Sequence, residues 1–231
     1  MPFITTWDDS RSQNHPTDSA EEANIGIIGA GNVGGTLGAR WAHNGHTVAF
    51  GVRDPRSAES QDLVRKAGSG RATTLPDAAK SSDILLLSTP WGVTQQVIQS
   101  LGDLTGKIVV DATNPVLPDL SALSLGTTTS AAEQVAQWAS GAHVVKAFNT
   151  VGFNIMADPS FGASKAILFY CGDDAAAKQT VKSLAAELGF DPQDAGPLRQ
   201  ARLLEPFALL WISLAYGQGY GRDFAFQLLR R

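Results

Sequence analysis

Residues 25–35 read IGIIGAGNVGG, and this stretch limits the possible folds more than any other. An apolar run of strand length passes through Gly29, Gly31 and Gly34, in G-x-G-x-x-G spacing, into a helical pattern. Each glycine meets a separate need. Gly29 permits a tight turn, Gly31 lets a pyrophosphate approach the backbone, and Gly34 lets the helix lie close to the strand. The N–H groups that open a helix have no intrahelical acceptor and attract an anion. The spacing alone is a weak signal, but here a strand precedes it, a helix follows, and a second strand arrives at the expected distance. Gly29, Ala30, Gly31, Asn32, Val33 and Gly34 are therefore expected to bind a dinucleotide. The competing reading is a glycine-rich turn that binds nothing.

The rest of the chain continues the pattern. Residues 1–22 are rich in Ser, Thr, Asp, Asn and Gln and read as a flexible tail. Strands are expected over Asn24–Gly29, Thr47–Gly51, Arg71–Leu75, Ile84–Ser88, Lys107–Asp111, His143–Phe148 and Ala166–Cys171, with a weaker one over Asp191–Ala195. Helices are expected over Val33–Asn44, Ser57–Ala67, Val93–Leu101, Ser130–Ser140 and Asp174–Leu188, with a short turn at Pro76–Lys80. The strands are continuous apolar runs, as in strands covered on both faces, so an α/β doubly wound Rossmann-type parallel sheet is expected. Residues 23–165 form the dinucleotide-binding domain in this reading, and residues 166–231 a small C-terminal extension. Residues 199–231 read as helical, broken in two by Gly217, Gly219 and Gly221.

The second strand's end decides which dinucleotide. An acidic residue there would accept from the ribose hydroxyls and repel a 2′-phosphate. Gly51 and Val52 do neither, while Arg53 offers a planar donor fork and Arg56 a second positive charge. NADPH is expected over NADH. Asp54 is the counterweight, and both arginines also read as solvated loop charges. Other strand ends line the same crevice: STPW at 88–91, DATNPV at 111–116 and KAFNT at 146–150. Thr89, Pro90, Thr113, Asn114, Pro115, Asn149 and Thr150 offer small or amide groups suited to ribose hydroxyls and a carboxamide. Lys146 is either an acid near the nicotinamide or a structural ion-pair residue. Trp91 is either a wall for a planar acceptor or packing.

Composition removes other classes. Of 231 residues, 18 are basic and 22 acidic, without long runs of one sign, so no nucleic-acid partner or anionic membrane surface is expected. No apolar run suits a bilayer span and no secretory signal stands at the N-terminus, which makes a cytoplasmic protein the expectation. Cys171 is the sole cysteine, which excludes an intrachain disulfide, and it reads as a small buried hydrophobe. His15, His43, His46 and His143 are scattered, no metal-ligand spacing or nucleophile triad is present, and catalytic residues cannot be assigned.

The order of motifs resembles a known family. The fingerprint, followed by STPW, IVVDATNP, VVKAFNT, CGDD and DAGPLRQARLLEP, is similar to the NADPH-dependent reductases of the deazaflavin coenzyme F-420. It is similar as well to the NADPH domain of the six-transmembrane metalloreductases. The resemblance implies hydride transfer between NADPH and a deazaflavin or flavin acceptor, in a homodimer, with the C-terminal region completing the acceptor site. Arg53 matches the family's arginine for the 2′-phosphate. Val52 departs from the serine common there, and Asn149 stands where deazaflavin reductases carry histidine. Two alternatives stay open: a reductase of a small imine or keto substrate, and a non-catalytic NADP-binding sensor.

Overall fold

A computed structural model describes residues 22–231, so the expected tail lies outside the described residues except for Glu22. The first half alternates strictly: β1 (Asn24–Ile28), α1 (Asn32–His43), β2 (Thr47–Gly51), α2 (Ala58–Ala67), β3 (Arg71–Thr73), α3 (Leu75–Lys80), β4 (Ile84–Leu87), α4 (Trp91–Ser100) and β5 (Ile108–Asp111). It continues through α5 (Ala131–Trp138), β6 (His143–Lys146), α6 (Phe153–Ala157), the two-residue strands β7 (Ser160–Phe161) and β8 (Ser164–Lys165), β9 (Ile167–Gly172), α7 (Ala175–Glu187), β10 (Asp191–Asp194) and α8 (Ala201–Ile212).

Eight strands form one sheet in the order β10-β9-β6-β5-β4-β1-β2-β3. The order reverses between β1 and β4, whose parallel pairing runs from Ile25↔Ile84 to Ile28↔Leu87. That reversal opens a crevice at the carboxyl ends of the strands, the place where such sheets bind ligands. Strands β1 to β6 are parallel, as their unbroken apolar runs require. β9 departs from the expected parallel run: it pairs antiparallel with β6 through Val145↔Gly172 and Lys146↔Cys171, and β10 follows β9. The reason is the connection. After α6, the small β7–β8 hairpin turns the chain back without a crossover long enough for another parallel strand.

Alternate residues of each strand feed opposite cores. Ile25, Ile27, Phe50, Leu86 and Val110 pack under α1 and α7, against Leu37, Trp41, Val181 and Leu184. Ile28, Leu85, Leu87 and Val109 pack on the other side, with Ile98 of α4, Val135 of α5 and Leu204 of α8. Local signals set the helix starts: Ser57, Thr74, Ser130 and Asp174 each accept the N–H of the residue three further on. Among the described residues, no helix is long and apolar enough to cross a membrane.

The C-terminus differs from the expected pair of helices. Only α8 is an α-helix; Ser213–Gly217 forms one wider turn and the chain then runs without regular structure. Gly219 and Gly221 both take φ 73°, a left-handed backbone that ends helices. Tertiary bonds hold this strap instead. Ile167 donates its N–H to Phe226 O, Trp211 Nε1 donates to Phe224 O, and Trp211 stacks on Phe224 at 5.3 Å.

Candidate cofactor and acceptor site

The glycine turn has the tightness its sequence demands. Gly29 sits at φ 104°, and a Cβ there would stand 2.8 Å from the Ser88 carbonyl. A Cβ on Gly34 would lie 2.2 Å from Gly29 O, so α1 is pressed against the strand end. Ser88 Oγ donates to Gly29 O at 2.7 Å and ties the turn to the end of β4. Gly31 is the opposite case, with no atom of the described residues within 4 Å of its Cβ position. The space above it is open, which is the room a pyrophosphate needs. Gly31 caps α1 without a side-chain acceptor, and the first turn holds no acidic residue. The first N–H groups thus face the crevice, where the helix dipole favours a negative charge. The residues present fit a dinucleotide.

At the end of β2, Arg53 and Arg56 are exposed, and neither guanidinium forms an ion pair among the described residues. Asp54 is exposed and accepts the Arg56 N–H at 2.9 Å within its own loop. That bond occupies one oxygen of the only carboxylate on this loop and leaves two cations at the strand tip.

The ends of β5 and β6 meet beside the crevice. Asn114 Nδ2 donates to Asn149 O at 2.8 Å, and Asn149 Nδ2 donates to Asn114 Oδ1 at 3.1 Å and to Leu204 O of α8 at 3.1 Å. Asn149 is nearly buried, and its Oδ1 has no donor. Asn114 remains partly open to the crevice. The chain reaches this arrangement through Phe148, a non-glycine residue at φ 62°. Such a backbone costs about 1–3 kcal/mol. It sends the Phe148 ring into the core against Trp41 and Phe190 while Asn149 turns toward α8. On the other side, Thr89 Oγ1 shares a hydrogen bond with Thr94 Oγ1 at 2.9 Å, and Pro90 opens α4. Pro115 O accepts from Ser124 N and Oγ and anchors the loop after β5. Ser88 thus joins the glycine turn to the end of β4, and Asn114 and Asn149 join the ends of β5 and β6, with Pro115 and Asn149 buried and Asn114 partly exposed.

Two ambiguous residues have defined partners. Trp91 stacks on Trp138 at 5.3 Å, a packing contact between α4 and α5. Lys146 is fully buried and spends its three protons on Asp111 Oδ2 at 3.0 Å, Thr113 O at 2.6 Å and Glu205 Oε1 at 3.0 Å. Burial works against its charge, but Asp111 and Glu205 outweigh that cost and hold the ammonium above its ordinary value. Lys146 is an ion-pair residue with no proton left for the crevice. Glu205, which lies within the DAGPLRQARLLEP motif but has no role assigned there, also accepts Ala131 N–H at 2.9 Å and Ala132 N–H at 3.2 Å, at the start of α5. Burial pushes the Cys171 thiol up to about 12, so it is inert.

Comparison with known proteins finds relatives of this chain. The profile of the family described as NADP oxidoreductase, coenzyme F420-dependent, matches residues 24–115. The chain is 30% identical over 205 residues to the F420-dependent NADP reductase of Methanocaldococcus jannaschii, covering 82% of this chain and 91% of that protein. It is 32% identical over 194 residues to Metalloreductase STEAP3 of Rattus norvegicus, covering 82% of this chain. The match spans only 37% of that longer protein. A crystal structure from Arthrobacter sp. FB24, provisionally described as an F420-dependent NADP-reductase, superposes with a TM-score of 0.82 at 29% identity. It covers 90% of this chain and 100% of that one.

Proposed function

The chain belongs to the coenzyme F420-dependent NADP oxidoreductase family, and from that premise we propose that it moves hydride between NADPH and a deazaflavin or flavin. One observation carries the cofactor half of this reading. Among the described residues, the uncapped, acid-free start of α1 lies under open space at Gly31, and two arginines without an ion-pair partner stand at the tip of β2. The N–H groups of Asn32, Val33 and Gly34 hold the pyrophosphate. Arg53 and Arg56 hold the 2′-phosphate and so favour a cofactor that carries one. Thr89, Pro90, Asn114 and Pro115 line the nicotinamide half, and Asn149 fixes the Asn114 amide from behind. When bound, the nicotinamide supplies a two-electron hydride to the facing ring. The protein's part is to stack two rings and exclude water, and that needs no acid–base pair.

The acceptor half rests on the relatives' chemistry and on where α8 and the C-terminal strap stand, beside the end of β6. The same reading takes the protein as a cytoplasmic homodimer. Exposed Leu203 and Leu210, seven residues apart on α8, give an apolar face for a second copy. The test is NADPH oxidation by the purified protein against coenzyme F-420, FMN, FAD and a ferric chelate, with NADH in parallel. Turnover with coenzyme F-420 is expected, and turnover with FMN or FAD alone selects the flavin branch. NADPH binding without turnover on any of them would leave a small-substrate reductase or a sensor.

A further inference from the structure

The buried cluster Asp111–Lys146–Glu205 lies below the crevice, away from any face a cofactor would touch. Its connections span the whole site. Asp111 Oδ1 accepts from Thr113 N at 2.9 Å and Thr113 Oγ1 at 2.7 Å, and Lys146 donates to the Thr113 carbonyl. The residue before Asn114 is thus clamped from two sides. Glu205 carries the same cluster into α8 and, through Ala131 and Ala132, into the start of α5. A second link runs in parallel, because Asn149 Nδ2 donates to the carbonyl of Leu204, the residue next to Glu205. Two neighbouring residues of α8 are therefore tied to the two strand ends that line the nicotinamide half of the crevice.

The cluster holds two carboxylates and one ammonium, all 1% exposed or less. Buried charges of this kind are poor sources of stability compared with apolar packing, but they fix one arrangement of the elements that supply them. Elsewhere α8 and the strap are held by partly buried bonds, Arg202 to Glu133 and Trp211 to Phe224 O, whereas the buried cluster joins the helix to the strand ends beside the crevice.

Resting on the NADP(H) reading, we propose that Lys146 and Glu205 are positioning residues that set α8 in register with the bound cofactor. They make the stiffness of α8 depend on crevice occupancy. Cofactor resting on Asn114 loads the clamp through the buried Thr113 beside it, and the clamp transmits the constraint to α8 and α5. By linkage, a ligand that settles on α8 tightens the cofactor by the same factor.

The test is amide hydrogen exchange of the full chain with and without saturating NADPH, with Kd measured separately by calorimetry. In the wild type, NADPH slows exchange of the α8 amides, residues 201–212, at least fivefold. Glu205→Gln keeps the shape of the side chain and loses its charge. It is expected to bind NADPH within threefold of wild type while the slowing on α8 falls below twofold. Lys146→Met gives the same uncoupling. A merely structural role would lower the melting temperature and leave the NADPH-dependent difference in place, which overturns the proposal. NADPH bound to the wild type with α8 exchange unchanged overturns it equally, and this arm stands even if the variants do not fold. No NADPH binding by the wild type would overturn the cofactor reading, and this inference with it.

Discussion

At the scale of single residues, the glycines of the turn do different work and should fail differently. A side chain on Gly34 meets Gly29 O at 2.2 Å, whereas one on Gly31 meets no atom of the described residues. Gly34→Val is expected to destabilise or unfold the chain. Gly31→Val is expected to keep the fold and melting temperature and to abolish NADPH binding; calorimetry beside thermal melting separates the two. Retained binding in Gly31→Val would show that the open space above the turn is not the pyrophosphate site. Arg53 is exposed and has no ion-pair partner among the described residues, so its removal is expected to cost a charge-assisted bond to the 2′-phosphate and little internally. Arg53→Ala should weaken NADPH roughly ten- to a hundredfold and NADH little. Equal losses for both would assign the arginine another task.

At the scale of elements, the Lys146 cluster holds α8 and α5 to the sheet. Removing one partner of a buried pair leaves the other uncompensated, so Lys146→Met should lower stability by about 3–5 kcal/mol in denaturant unfolding. The pH dependence has a definite sign. The native ammonium is held above its ordinary value of 10.5, by Asp111 and Glu205 in excess of the burial cost. Its contribution is complete below 10.5 and fades as pH rises through the higher native value. Wild type should therefore lose stability in strong alkali along a limb that Lys146→Met lacks.

Elements whose signal is local were legible in the sequence. The runs IIG, VAFG, ILLL and IVVD could only be strands covered on both faces, and Ser57, Ser130 and Asp174 marked helix starts to within one residue. Elements held by distant partners were not. Glu205 reads as a solvated helix residue until Lys146, 59 positions earlier in the chain, is placed beneath it. The strap after Gly217 keeps the apolar content of a helix, but its aromatics are spent on Trp211 and Phe207. The reversal at β9 depends on the β7–β8 hairpin, two strands too short to leave a periodic trace. Within the site, the tight glycine turn was readable because its geometry is carried by position along one βαβ unit. The Asn114–Asn149 exchange and the φ 62° backbone at Phe148 belong to two strand ends meeting in space.

At the scale of the whole molecule, one sheet carries both halves of the proposed reaction. The strand-order reversal between β1 and β4 makes the crevice, and β9, β10 and α8 extend the same sheet and core on the far side of β6. In the proposed reaction both rings would rest on this one sheet, which suits a reaction whose main demand is their placement. The most direct measurement uses NADPH deuterated at the transferring C4 position, with oxidised coenzyme F-420 as acceptor and mass analysis of the reduced product. The deazaflavin ring carries carbon at the receiving position and retains what it is given. One deuterium per reduced ring is the predicted result. Reduced product without deuterium, or no consumption of NADPH by protein that binds it, would contradict direct transfer between two rings held in this crevice.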